Sequence, residues 1–189
     1  MKRKQWIAAF ALLTGAFGLV GCNGAHMARH GMDVDAAVAV LHGTEGNQNV
    51  EGVVRFQEMG DGTVEVVAEV SGLKPNGEHA IHVHEYGDCT ALDAASAGGH
   101  YAPRGHKHAL PGETGMRHAG DFGNLKADAN GTARFRLVVD NITVAGAESP
   151  VLGRAVIVHA DADQGVAAQP SGGAGPRIAC GVIGIANLE

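Results

Sequence analysis

The sequence predicts an all-β domain, a sandwich or flattened barrel of short strands, on three observations. Seven apolar-rich runs of seven to ten residues recur between Ala37 and Ile185, separated by Gly, Asn and Asp. Twenty-nine glycines supply the backbone freedom that many tight turns require. None of the runs has the apolar period of an amphipathic helix. A chain of 189 residues holds one domain with a real core, and 45% hydrophobic content excludes a disordered chain. Aromatic residues make up only 4%, so Val, Ala, Leu and Ile must build that core.

Residues 1–21 stand apart from this pattern. Lys2, Arg3 and Lys4 precede an apolar stretch from Trp6 to Val20, which describes a secretory signal. The following LVGC (19–22) resembles a bacterial lipobox, implying cleavage before Cys22 and acylation of that residue. A plain signal peptide with an incidental cysteine is the alternative. Asn23 lacks the aspartate that favours inner-membrane retention, so the expected location is the periplasm, lipid-anchored to the outer membrane. Removing residues 1–21 takes away three basic and no acidic residues, and the charge falls from −6 to −9. Such a charge excludes non-specific nucleic-acid binding. Residues 22–32, with His26 and His30, read as the lipidated cysteine and a tether, and 33–189 as the domain.

The strand runs follow in order: AVAVLHG (37–43), VEGVVRFQE (50–58) and TVEVVAEVSG (63–72). In the third, Val64, Val66, Ala68 and Val70 alternate onto one face, and GDG (60–62) is a hairpin turn before it. PNG (75–77) turns into HAIHVHEYG (79–87), and DANG (128–131) turns into TARFRLVVD (132–140). GRAVIVHAD (153–161) and RIACGVIGI (177–185) complete the set. Residues 88–124 and 160–176 are poor in strand character. Loops longer than about 12–15 residues in a compact domain usually serve a function.

Eleven histidines point to metal, because neutral imidazole is the commonest metal-binding side chain. His82 and His84 sit two apart in a strand, so both rings leave the same face. An HxH pair is a weak signal alone, and His159 at the end of another run is weaker still. The long loop adds His100, His108, His118 and Asp121, a nitrogen and oxygen set that suits tetrahedral zinc. An all-nitrogen set from the strands suits copper. His106 competes with His108 for a place in the loop set; His42 and His79 read as ordinary strand-end residues. With Cys22 lipidated, Cys89 and Cys180 remain as an even pair in an oxidising compartment.

HAIHVHEYGDCT (79–90), AGGHYAP (97–103), HALP (108–111), HAGDFGN (118–124), VIVHADAD (156–163) and PRIACGVIGI (176–185) together resemble copper/zinc superoxide dismutase, in order and spacing, from about Ala37 to Ala186. The resemblance implies an eight-stranded Greek-key β-barrel, immunoglobulin-like in its sandwich, with two long functional loops holding one copper and one zinc outside it. It implies copper ligands His82, His84, His100 and His159, and zinc ligands His100, His108, His118 and Asp121, with His100 the bridge. Arg177 would receive the substrate superoxide, and Asp163 would link His82 to His108. It also implies a Cys89–Cys180 disulfide and dismutation of superoxide to dioxygen and hydrogen peroxide. GVIGIA (181–186), Leu152, Gly153 and Gly87 resemble the dimer contacts of eukaryotic members, so a homodimer through that face is expected. A non-catalytic periplasmic copper/zinc-binding module on the same fold is the competing reading; the presence of all four copper ligands and Arg177 counts against it.

Two features depart from the family pattern. The segment between His108 and His118 is one residue longer than is common in eukaryotic members. The loop from His159 to Arg177 is shorter and carries no Lys, Arg or Glu, so the family's steering charges in this loop do not transfer.

Overall fold

The computed structural model describes residues 34–187, so the expectations for the signal segment, Cys22, His26 and His30 lie outside the described residues. Eight strands follow one another: β1 (Ala36–Gly43), β2 (Glu51–Glu58), β3 (Val64–Ser71), β4 (Glu78–His84), β5 (Asp121–Lys126), β6 (Ala133–Val139), β7 (Ala155–His159) and β8 (Arg177–Ile185). All pairings are antiparallel, in the order β5-β4-β7-β8-β1-β2-β3-β6. The two end strands, β5 and β6, approach each other, which leaves a nearly closed barrel.

The alternation expected for β3 is present: Val64, Val66, Ala68 and Val70 are buried, while Val67 and Glu69 face out. Burying such side chains contributes about 1.5–3 kcal/mol each for Val or Leu, before conformational entropy is counted. Leu41, Val54, Phe56, Ile81, Val83 and Val156 belong to the same core. Phe56 of β2 meets Phe122 of β5 with ring centroids 6.2 Å apart.

β4 is the strand that positions the site. Ile81 and Val83 point into the barrel, so His82 and His84 project from its outer face, yet both are buried. That burial on two sides comes from the long loops, which cover the outer face of β4 and β7. Near the middle of β7 the cover is local: Ala94 and Ala97 of the first loop pack on Ala155 and Ile157 beside Cys180. The Cys89–Cys180 disulfide, with Cα atoms 5.9 Å apart, ties this loop to β8.

The structure corrects two sequence readings. β4 ends at His84, before the predicted Gly87, because Glu85 and Tyr86 turn away to bond the backbone of Gly99 and Ala97. The segment read as loop up to residue 124 already contains the start of β5. Asp-Phe-Gly-Asn-Leu-Lys has only two large apolar residues, and its strand character comes from pairing with β4 across a register shift between Ala80 and His82.

Candidate metal centre

Two sets of side chains converge on the outer face of β4. His82, His84, His100 and His159 each bring one ring nitrogen within 4.8 Å of the others; His100, His108, His118 and Asp121 do the same. His100 belongs to both. Its ring centroid lies 4.0 Å from that of His82, 5.1 Å from His84 and 5.2 Å from His108. The strands supply three members of the first set at fixed spacing. The loop supplies the second set, apart from Asp121, which opens β5.

The hydrogen bonds leave one nitrogen of each ring uncommitted. His84 Nδ1 donates to Gly98 O at 2.9 Å, and His159 Nδ1 donates to Gly175 O at 3.1 Å. Asp163 accepts from His82 Nε2 at 2.8 Å and from His108 Nε2 at 2.7 Å, spanning the two sets as expected. Of the opposite nitrogens, His82 Nδ1, His84 Nε2 and His159 Nε2 are buried without a hydrogen bond, as is His79 Nε2 outside the two sets, while His108 Nδ1 meets Asp121 Oδ2 at 3.0 Å. A buried lone pair without a donor is costly, about 1–3 kcal/mol, unless something else meets it. The three from the first set, together with His100, fit one cation, and the three imidazoles gathered on the Asp121 carboxylate form a donor set that suits a second. The fixed N–H on the far side of each ring sets the tautomer a metal needs.

Electrostatics divide the two sets. Burial pushes the imidazoles of His82, His159 and His84 down to about 4, 3 and 2, so they stand neutral, ready to ligate. Burial acts the same way on His108, but the carboxylates of Asp121 and Asp163 outweigh it and raise that ring to about 9. Asp121 is itself buried, which would raise its carboxyl; bonds to His100, His108 and His118 hold it far below the usual carboxylate range. Its Oδ1 lies 3.0 Å from His100 Nδ1 and 3.2 Å from His118 Nδ1, and its Oδ2 lies 3.0 Å from His108 Nδ1. Backbone N–H groups of Ala109 and His118 fix that carboxylate. His100 thus turns Nδ1 to the second set and keeps Nε2 for the first.

Arg177, the first residue of β8, lies beside the first set. Its guanidinium donates to Ala94 O and Gly98 O, both at 2.6 Å, and Gly98 O also receives His84. The arginine and His84 are therefore held by one carbonyl of the disulfide-tied loop. His106 belongs to neither set; its Nδ1 contacts Arg117 O.

His42 is an exposed strand residue, as predicted. His79 also lies at a strand end, second in β4, but it is buried, only 3% exposed, and its Nδ1 donates to the carbonyl of His159 at 3.0 Å. Asn124 was also missed. Its amide exchanges two hydrogen bonds with the backbone of Asp163, at 3.0 and 2.7 Å, and so holds that residue as a neighbouring strand would. The GDFGN segment carried the signal, but its asparagine drew no attention among the histidines.

A family model described as copper/zinc superoxide dismutase matches residues 50–183. Among solved structures, a crystal structure of a protein described as the clock protein EA4 is 37% identical, with a TM-score of 0.74. The alignment covers 83% of this chain and 99% of that one.

Proposed function

The chain belongs to the copper/zinc superoxide dismutase family, and from that premise we propose that it dismutates superoxide to dioxygen and hydrogen peroxide. One observation carries the reading: two complete ligand sets share His100, with Arg177 beside the all-histidine set. His82, His84, His100 and His159 would hold copper, and His100, His108, His118 and Asp121 would hold zinc. Copper would supply one-electron exchange in both directions, while zinc, which keeps one oxidation state, would fix the bridge and its charge.

The chain's own residues do the rest. Arg177 attracts the anion and orients it by charge-assisted hydrogen bonds, since two backbone carbonyls already fix its guanidinium. His100, held at Nδ1, would take up a solvent proton at Nε2 whenever that nitrogen is released by the first set, and would supply it, with a second proton from water, to form hydrogen peroxide. Asp163 keeps His82 and His108 from rotating, so the bridge sits between two fixed sets.

We also propose a homodimer through the face formed by β1, β8 and the turns at Gly87 and Gly153. Val40, Val182 and Ile185 are exposed there, each by close to half. Gly87 packs against Gly153 O so closely that a Cβ would lie 2.3 Å away. Acylation at Cys22 and a place on the periplasmic side of the outer membrane complete the proposal, supported by LVGC at 19–22.

Metal analysis of the mature protein together with superoxide consumption tests the function. One copper and one zinc per chain with rapid consumption is the expected result. Both metals without consumption would support the competing non-catalytic metal-binding module instead.

A further inference from the structure

Asp163 reaches both ligand sets from a segment, 160–176, that forms no strand of its own. The segment contains only one short 3-10 helix, Gly165–Ala168. Asn124 of β5 holds the Asp163 backbone from one side, and contacts with the loop that carries His108 and His118 hold the residues that follow it.

One side chain bonds both segments. Glu113, midway between His108 and His118, accepts through a single oxygen, Oε2, from Leu110 N at 2.6 Å and from Val166 N at 3.2 Å. The first bond closes a turn within its own loop. The second crosses to the 3-10 helix, whose flanking Gln164 makes no side-chain capping bond. Gly165 makes room for it: an added Cβ would stand 2.3 Å from Oε2 and 2.7 Å from Oε1, at a backbone φ of +59°. Gly165 N in turn donates to Asp163 Oδ1 at 2.8 Å. The path from Glu113 to Asp163 is thus two hydrogen bonds joined through the adjacent residues Gly165 and Val166. Gln169 adds a parallel bond from the same segment to His108 O at 2.6 Å.

We propose that Glu113 is a positioning residue for the metal pair, clasping segment 160–176 onto the loop of His108 and His118 so that Asp163 stays bonded to both rings. The inference rests on the two-metal reading above.

The test is made on the full mature chain with cobalt(II) in place of zinc, because cobalt's visible bands report ligand geometry. Release of cobalt to a chelator is timed for the wild type, Glu113→Ala, Glu113→Gln and Gly165→Ala. Glu113→Ala should release it about tenfold faster, the lower end of what losing an outer contact to a ligand does. Glu113→Gln keeps an oxygen that can accept both N–H groups and should restore most of the retention. Gly165→Ala, which displaces the carboxylate, should match Glu113→Ala.

In an Asp163→Ala background the Glu113 change should add less than about twofold, as expected of residues acting in series. Hydrogen exchange of the Val166 amide in metal-free protein is read in parallel, and it should quicken in Glu113→Ala. Wild-type release and wild-type exchange in Glu113→Ala would overturn the proposal, as would full additivity with Asp163→Ala. If the wild type binds no metal, the two-metal reading fails, while the exchange comparison still decides whether the clasp exists.

Discussion

Adding one methyl group at Gly172 should separate the two metal sets. Gly172 is buried, with φ at +73°, and an added Cβ would fall 2.1 Å from Asp163 Oδ1 and 2.6 Å from His108 Nε2. Both distances are far below van der Waals contact, and the atoms concerned form the 2.7 Å bond between these residues. Gly172→Ala therefore adds the left-handed backbone penalty of about 1–2 kcal/mol and breaks the bond from Asp163 to His108. Loss of such a contact lowers metal affinity about 10–100-fold, equivalent to about 1.4–2.8 kcal/mol at 1.4 kcal/mol per decade. The loss should fall mainly on zinc, because His108 belongs to that set and His82 can keep the other carboxylate oxygen. Competitive titration with a chromophoric chelator measures it for each metal. Zinc affinity within a factor of about two of the wild type would refute the argument that Asp163 couples the sets through His108.

His159→Ala should abolish superoxide consumption and copper retention while zinc remains, as elemental analysis of the variant would record. Asp121→Ala should release zinc and lower the thermal unfolding midpoint by several degrees, because three imidazoles lose their shared carboxylate; an unchanged midpoint in calorimetry would contradict this. Cys22→Ser should leave the protein unacylated, either soluble after fractionation or unprocessed. Normal processing with continued sedimentation in the membrane fraction would exclude the anchor.

Much of the site was legible because strand geometry has a period of two. His82 and His84 leave one face of β4 whatever the surrounding fold, and Val64 to Val70 alternate in β3 for the same reason. The loop ligands became legible only through their spacing as a set, since loop conformation follows no such period. β5 escaped detection because Gly123 and Asn124 interrupt its apolar residues and its pairing is long-range. Glu113, Asn124 and Gln169 escaped for a related reason: each acts by bonding backbone far away in sequence, and no local pattern records such a partner. His79 looked like a strand end, and its value lies in a carbonyl 80 residues away.

The distribution of positive charge decides how an anion reaches Arg177. The full chain carries −6, and cleavage before Cys22, as proposed, would make it −9, so in either form the mean field opposes an anion at long range. Segment 160–176 holds no basic residue, which leaves Arg104, Lys107 and Arg117 of the other loop as candidates for steering. Arg104 is paired with Glu148, and Arg117 is turned inward to Asp121 O and Asn141, where it braces the β5 start. Of these three side chains only Lys107 has neither an ion pair nor a hydrogen bond among the described residues, and one exposed charge does not reverse the field. Salt screens charges beyond about 10 Å at 0.1 M, so it weakens the distant repulsion more than the close attraction of Arg177. The second-order rate constant, measured by pulse radiolysis, should stay level or rise slightly between low and physiological ionic strength. Arg177→Ala should lower it severalfold and Arg177→Glu further, with metal content unchanged, while Lys107→Glu should have little effect. A rate that falls steeply with added salt would mean that the loop cations, despite these contacts, form a funnel that outweighs the net charge.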